Sequence, residues 1–389
     1  MWRYALKRFF WFIPTLFAVT IIGFVLLANA PGDPVNSLVL SSNSGGSMQS
    51  IKDLEIQKKY WSKQLGLDLP LFYFSVQRLS EPDTLYKITD EAQLKKLKAD
   101  LKINGGFKNY IPKITWYGFH NQYHRWLFGG NNSNGIVRGD FGMSISKKEP
   151  VIVILKDKLI WSLTFSILSI LLAYVISIPI GIRMAKDPES RFSKISQFVL
   201  FLLYSMPSFF MGVLLLMLFA NPDVLSVFPP SGIKPIEGYD DQSSLFTKIC
   251  DSLPYMILPL ICYTYASLAF ISRLTATSIT EQLGLDYIKT AKAKGLSEKT
   301  ILWKHALKNS ALPLITVFSS VFPGVVGGSV IIESIFTIPG MGLETVRAII
   351  SHDYPVVIAV ITLSSVLTIF SYLLADILYA WVDPRIRTY

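Results

Sequence analysis

The chain has 389 residues, 51% of them hydrophobic and only 16% charged, with 37 basic against 27 acidic side chains and a net charge of +10. Soluble domains carry about a quarter charged residues, so this composition excludes a soluble enzyme. The positive surplus is not a nucleic-acid footprint, because it is distributed among the short segments between long apolar runs.

A hydrocarbon core of about 30 Å takes roughly 20 apolar residues to cross. Six runs qualify, at about 9–30, 159–182, 196–220, 254–272, 312–332 and 356–381. The expected fold is an all-α polytopic membrane protein with six transmembrane helices. Arg3, Lys7 and Arg8 precede the first run, which closes on Ala28-Asn29-Ala30, a mimic of a signal-peptidase site. A signal core is about 7–15 residues; this run is longer, so residues 1–30 read as a retained anchor helix.

Pro31-Gly32-Asp33-Pro34 then breaks the helix. Residues 31–158 read as a small extracytoplasmic segment. Within it, 90–103 is a charged helical stretch, and Trp116, Tyr117, Phe119, Tyr123, Trp126 and Phe128 form an aromatic stretch. A Gly/Asn/Ser linker follows at 129–135. The aromatics are expected to pack a local core or rest at the membrane interface; contact with a peptide is the sharper alternative. His120 and His124 stand at i, i+4, but no third ligand is near, so no metal site is expected.

In the third run, Met206-Pro207-Ser208 predicts a kink, since proline removes a backbone hydrogen bond. Cys250 and Cys262 are separated by about 18 Å if a helix joins them, beyond disulfide range. Between the fourth and fifth runs comes a basic, helix-prone segment. Residues 286–294 read as a short helix ended by Gly295 in a left-handed cap. Ser297 N-caps a second helix to about Asn309, with Glu298 in its first turn and Leu296 and Ile301 placed as a hydrophobic staple. Pro313 opens the fifth run, where Gly324, Gly327 and Gly328 form a small-residue patch able to pack within the chain or on another subunit. Glu333 sits at its end, in a glycine-rich turn that either lines a pathway mouth or simply closes a loop. Asp376 in the last run reads as a residue that snorkels or finds a helix partner near the inner face.

Basic residues flank one set of loop ends (Arg183, Lys186, Arg191, Lys194, Arg273, the lysines up to Lys308, Arg385 and Arg387). The short loops at 221–253 and 333–355 hold only Lys234, Lys248 and Arg347. This asymmetry places both termini in the cytoplasm. No phosphate-binding glycine loop with Gly-Lys-Ser/Thr occurs, so no ATP hydrolysis is expected of the chain itself.

Four motifs carry a family resemblance. They are Asp286-Tyr-Ile-Lys-Thr-Ala-Lys-Ala-Lys-Gly-Leu296 with Lys304-His-Ala-Leu-Lys-Asn309; Leu65-Gly-Leu-Asp-Leu-Pro70 with Gly139-Asp-Phe-Gly-Met-Ser144; Gly327-Gly-Ser-Val-Ile-Ile-Glu-Ser-Ile-Phe-Thr-Ile-Pro-Gly-Met-Gly342; and Asp383-Pro-Arg-Ile-Arg387. Together they resemble permease subunits of ABC-type importers, in the dipeptide/oligopeptide branch. The resemblance covers the chain except for an insert at about 75–135, and it implies a five-helix permease core over 159–389 with a coupling segment at 286–309. It further implies that Asp286, Tyr287, Thr290, Ala291, Lys292, Gly295 and Leu296 couple to an ATPase, and that Pro207, Glu333, Pro339 and Gly340 belong to the pathway or gate. The implied partners are a second homologous permease, two ATPase subunits carrying ATP and Mg, an extracytoplasmic substrate-binding protein and the lipid bilayer, with no cofactor bound by this chain. The implied location is a bacterial or archaeal cytoplasmic (inner) membrane, and the solute stays open among dipeptides, oligopeptides, nickel chelates, glutathione and sugars. The alternative is a secondary transporter driven by an ion gradient. That would need a coupling-ion site at the midplane, for which Asp376 alone offers support.

Overall fold

The computed structural model describes residues 2–28, 35, 39, 51–130, 134–235 and 243–382. The turn at 31–34, part of the 129–135 linker and the terminal motif 383–387 lie outside the described residues. In chain order the elements are α1 (Trp2–Ala28), α2 (Ile51–Leu65), β1 (Phe74–Arg78), α3 (Glu91–Asn104), β2 (Pro112–Trp116), α4 (Gln122–Phe128), α5 (Val151–Lys186), α6 (Arg191–Ser205), α7 (Ser208–Phe219), α8 (Leu245–Leu283) and α9 (Asp286–Ala293). A helical run at 298–309 follows, then α10 (Ala311–Ser319), α11 (Val321–Gly327), α12 (Val330–Ile335), α13 (Met341–Ile350) and α14 (Tyr354–Val382).

By length and composition, three helices among the described residues can cross a bilayer singly: Val151–Lys186, Phe246–Leu283 and Tyr354–Val382. The other three expected runs are different. Phe12–Val25 and Ala311–Val325 are shorter apolar stretches, and the third run is a pair of helices, α6 and α7, bent by 101°. The expected kink at Pro207 is thus a full break. The residue before a proline is pushed out of the helical region, and Met206 is extended at ψ 125° while Pro207 takes ψ 144°. The freed Met206 carbonyl accepts the Tyr265 hydroxyl at 2.8 Å. The fifth run likewise divides, at Ser320 and again at Gly328.

The fold is also not purely helical. β1 and β2 pair antiparallel, Phe74 opposite Trp116 and Arg78 opposite Pro112. His120 falls before the N-cap of α4, Asn121, so the two histidines do not share a helix face. Cys250 and Cys262 both lie on α8 and are free.

The chain divides into two compact units. One comprises Met1–Pro14, Lys156–Val346 and Leu363–Tyr389. Its core gathers Phe165 of α5, Met211 and Leu215 of α7, Leu258 and Cys262 of α8, and Ile332 and Phe336 around α12. α5 and α8 come very close at Gly181, where a Cβ would stand 2.7 Å from the Ser272 carbonyl; only glycine permits that approach. The other unit comprises Thr15–Leu155 and Arg347–Thr362. Tyr123 of α4 is fully buried there, against Phe24 of α1 and beside Leu127 and Ile358. Asp353, also buried, holds the 144–146 turn: it accepts the Ser144 hydroxyl at 2.5 Å, the Ser146 hydroxyl at 2.7 Å, and the Ile145 and Ser146 N–H groups at 3.1 Å.

Candidate functional site

α9 is short, and local chemistry defines both of its ends. Asp286 lies in the first turn, where a carboxylate favours the helix dipole. At the far end Gly295 has φ +75°, its N–H donates to the Lys292 carbonyl at 2.9 Å, and the Leu296 N–H donates to the Ala291 carbonyl at 3.3 Å. That pair of bonds is the Schellman motif, which needs a left-handed residue in this place. Ser297 starts the next run by accepting the Thr300 N–H at 3.3 Å. The run is α-helical at Glu298–Thr300 and Leu307–Asn309 but widens into a π-turn at Ile301–Ala306, where a plain α-helix was expected. Ile301 turns into the core while Leu296 stays 40% exposed.

The packing of α9 sorts its residues. Ile288 and Ala291 are buried in a cluster with Ile182 and Ala185 of α5, Ile279 of α8, and Ile301, Leu302 and Ala306 of the π-turn. Tyr287 is half-buried, and its hydroxyl donates to Gln282 Oε1 at 2.8 Å. Asp286, Thr290, Lys292, Gly295 and Leu296 are exposed, as is Leu285 at 47%. Ala291 therefore meets this chain's own helices, and only its exposed neighbours present an outward face. Leu285 and Trp303, 45% exposed, extend that outer face; sequence reading did not single them out.

A second arrangement surrounds Glu333, which is fully buried. One carboxylate oxygen accepts the Leu343 N–H at 2.7 Å; the other accepts hydroxyls from Ser162 of α5 at 3.2 Å and Tyr263 of α8 at 3.4 Å. Ser162 also receives the Met341 N–H at 2.8 Å. The loop is wrapped so tightly that a Cβ at Gly340 would lie 2.3 Å from the carboxylate, and one at Gly328 2.6 Å from it. Thr337 in this loop holds φ +54°, unusual for a β-branched residue. Glu333, Pro339 and Gly340 thus come together, with the carboxylate turned inward as the organiser of the loop. The Pro207 break lies across the same core, where Ile335 approaches Gly212 of α7.

Residues 177–388, which hold both arrangements apart from Ser162, match the model of the family described as binding-protein-dependent transport system inner membrane component. The chain belongs to this family. It is 32% identical to the oligopeptide transport system permease protein AppB of Bacillus subtilis (strain 168), over 100% of both chains. It is 30% identical to the inner membrane ABC transporter permease protein YejB of Escherichia coli O157:H7, over 99% of both. With the dipeptide transport system permease protein DppB of Escherichia coli (strain K12) it shares 28% identity, over 100% of this chain and 99% of that one. The protein is accordingly a multi-pass membrane component of an ABC transport system. In this inner membrane component, Ser162 and Tyr263 are site residues that sequence reading missed, because they stand 171 and 70 positions from Glu333.

Proposed function

We propose that the protein is one permease subunit of an ATP-driven importer for peptides or related small solutes. It forms half of a translocation path, pairs with a second similar permease, and takes its movement from two separate ATPase subunits. An extracytoplasmic binding protein delivers the solute, and ATP and Mg are handled by the ATPase partners. Six membrane helices, cytoplasmic termini, an outer insert at about 75–135 and a coupling segment at 286–309 complete this reading.

The observation that carries it is the two-sided character of α9. Ile288 and Ala291 hold the helix to α5, α8 and the π-turn, while Asp286, Thr290, Lys292 and Leu296 face outward. A surface helix fixed in this way passes a push on as rigid-body movement of the helices beneath it. The peptide solute is supported by the oligopeptide and dipeptide names of AppB and DppB. A partner permease is supported by Gly324 and Gly327, where a Cβ would meet nothing within 4 Å: packing inside this chain does not require glycine there. In this reading the Pro207 break and the loop bearing Pro339 and Gly340 form the gate, with Glu333 keeping the loop in shape.

The test is uptake by the complete complex reconstituted in liposomes with its binding protein. Peptide accumulation should require ATP and persist when ionophores collapse proton and sodium gradients. Gradient-driven uptake without the ATPase subunits would refute the assignment and favour a secondary transporter.

A further inference from the structure

The two-stranded ribbon has its polarity reversed. On one face Phe74 stands opposite Trp116 and Val76 opposite Ile114. These four side chains are 44, 68, 62 and 72% exposed. The other face is polar and engaged: Ser75 hydrogen-bonds the Tyr117 hydroxyl at 3.0 Å, while Lys113 and Thr115 donate to Asp83 at 3.0 and 3.1 Å. A ribbon in water turns its apolar side inward and its polar side out. An exposed apolar face of this kind marks a contact surface.

The position of its root indicates what covers that face. A chain of aromatic contacts runs from Phe74 to Phe72 at 5.6 Å, from Phe72 to Tyr123 at 5.1 Å, and from Tyr123 to Phe24 of α1 at 5.3 Å. The Tyr123 hydroxyl also meets Thr20 Oγ1 at 2.9 Å. Thr20 precedes the end of α1 at Ala28 by eight residues, about 12 Å of helix. Phe17, Ile22 and Val25 on this part of α1 are exposed apolar side chains, the character of a helix face turned towards lipid. The ribbon therefore starts from the depth of the bilayer's boundary. Trp116 stacks on Tyr73 at this end, and tryptophan and tyrosine favour that boundary. The adjoining α3 exposes Lys95, Lys96, Lys98 and Lys102 against Glu91 and Asp100, a charge balance that suits anionic headgroups.

We propose that the ribbon is a lipid anchor. Phe74, Val76, Ile114 and Trp116 rest in the headgroup–acyl boundary of the bilayer that α1 enters, and they tether the α3 arm to the membrane surface. This stands apart from the coupling to ATPase subunits and holds whatever the solute.

The test uses the full chain, with Cys250 and Cys262 replaced by serine, in vesicles of phosphatidylcholine with a minority of phosphatidylglycerol. Val76→Cys, Ile114→Cys and, on the polar face, Gln77→Cys are each labelled with an environment-sensitive fluorophore. Labels at 76 and 114 should be quenched by lipids spin-labelled high on the acyl chain about threefold more than the label at 77, and less by aqueous iodide. Equal iodide quenching at all three sites would overturn the proposal. Shielding of 76 and 114 that appears only on adding the soluble binding protein would also overturn it, in favour of a protein-docking face. Circular dichroism of each variant confirms that the helices are retained.

Discussion

At the scale of single residues, two buried acids act as organisers of loops. Asp353 accepts the N–H groups of Ile145 and Ser146, 208 and 207 positions away, and Glu333 accepts that of Leu343, 10 positions on; neither offers its carboxylate to the surface. Removing a buried acceptor leaves its donors unpaired, at about 1–3 kcal/mol for each group. Glu333→Ala should therefore lower the thermal stability of the purified protein and raise protease cutting between 327 and 343. Glu333→Gln keeps one carbonyl acceptor and should lose about half as much or less. Equal, negligible effects in a melting assay would count against the organising role. Gly340→Ala should resemble Glu333→Ala, because its methyl group would displace the carboxylate. These roles were only half legible in the sequence. The glycine-rich motif marks a tight turn around Glu333, but nothing local names Ser162 or Tyr263, which meet it only when α5 and α8 are packed.

At the scale of elements, legibility followed the range of the interactions. The ends of α9 were readable because Gly295 and Ser297 act on neighbours a few residues away. At Pro207 proline predicts the loss of a helical bond; the full 101° turn, and the Tyr265 hydroxyl that meets the Met206 carbonyl from 59 positions away, are not legible locally. The ribbon is not legible in the sequence because each strand has only five residues and pairs across the intervening α3. For α9 the two-sided packing separates two kinds of defect. Gly295→Val has open space around the new side chain but a left-handed backbone to sustain, at about 1–2 kcal/mol. It should loosen the cap and reduce substrate-stimulated ATP hydrolysis by the assembled complex, with a melting-temperature drop of about a few degrees at most. Ala291→Leu forces extra volume into the α5–α8 cluster and should destabilise the subunit by about 1–3 kcal/mol. Lys292→Glu, on the exposed face, should spare stability yet weaken ATPase association in a pull-down. If Ala291→Leu melts normally while Lys292→Glu melts early, the inward and outward faces have been assigned the wrong way round.

For the whole molecule, sidedness is the property on which the functional reading depends. α5 has 36 residues, about 54 Å at 1.5 Å per residue, so Val151 and Lys186 emerge on opposite sides of a bilayer. The Lys186 end meets Glu298 at 2.6 Å and shares a cluster with Ile288 and Ala291, which puts the α9 segment on that same side. Arg183, Lys186, Arg191 and Lys194 gather there, and in the topology proposed above the basic-residue rule makes this side cytoplasmic. The exposed pair Glu189–Lys194 lies there too. In a background lacking Cys250 and Cys262, cysteines at Lys98 and Glu149 should react with an impermeant thiol reagent added to intact cells, and cysteines at Glu189 and Lys299 should react only after the membrane is opened. The two inner sites have independent value, since Glu189 tests the α5–α6 turn and Lys299 the coupling segment itself. Labelling of Lys299→Cys from outside would put α9 beyond the reach of a cytoplasmic ATPase, and the importer reading would fall with it. Labelling of Glu189→Cys alone would contradict the Lys186–Glu298 contact, which holds the α5–α6 turn and the coupling segment on one side.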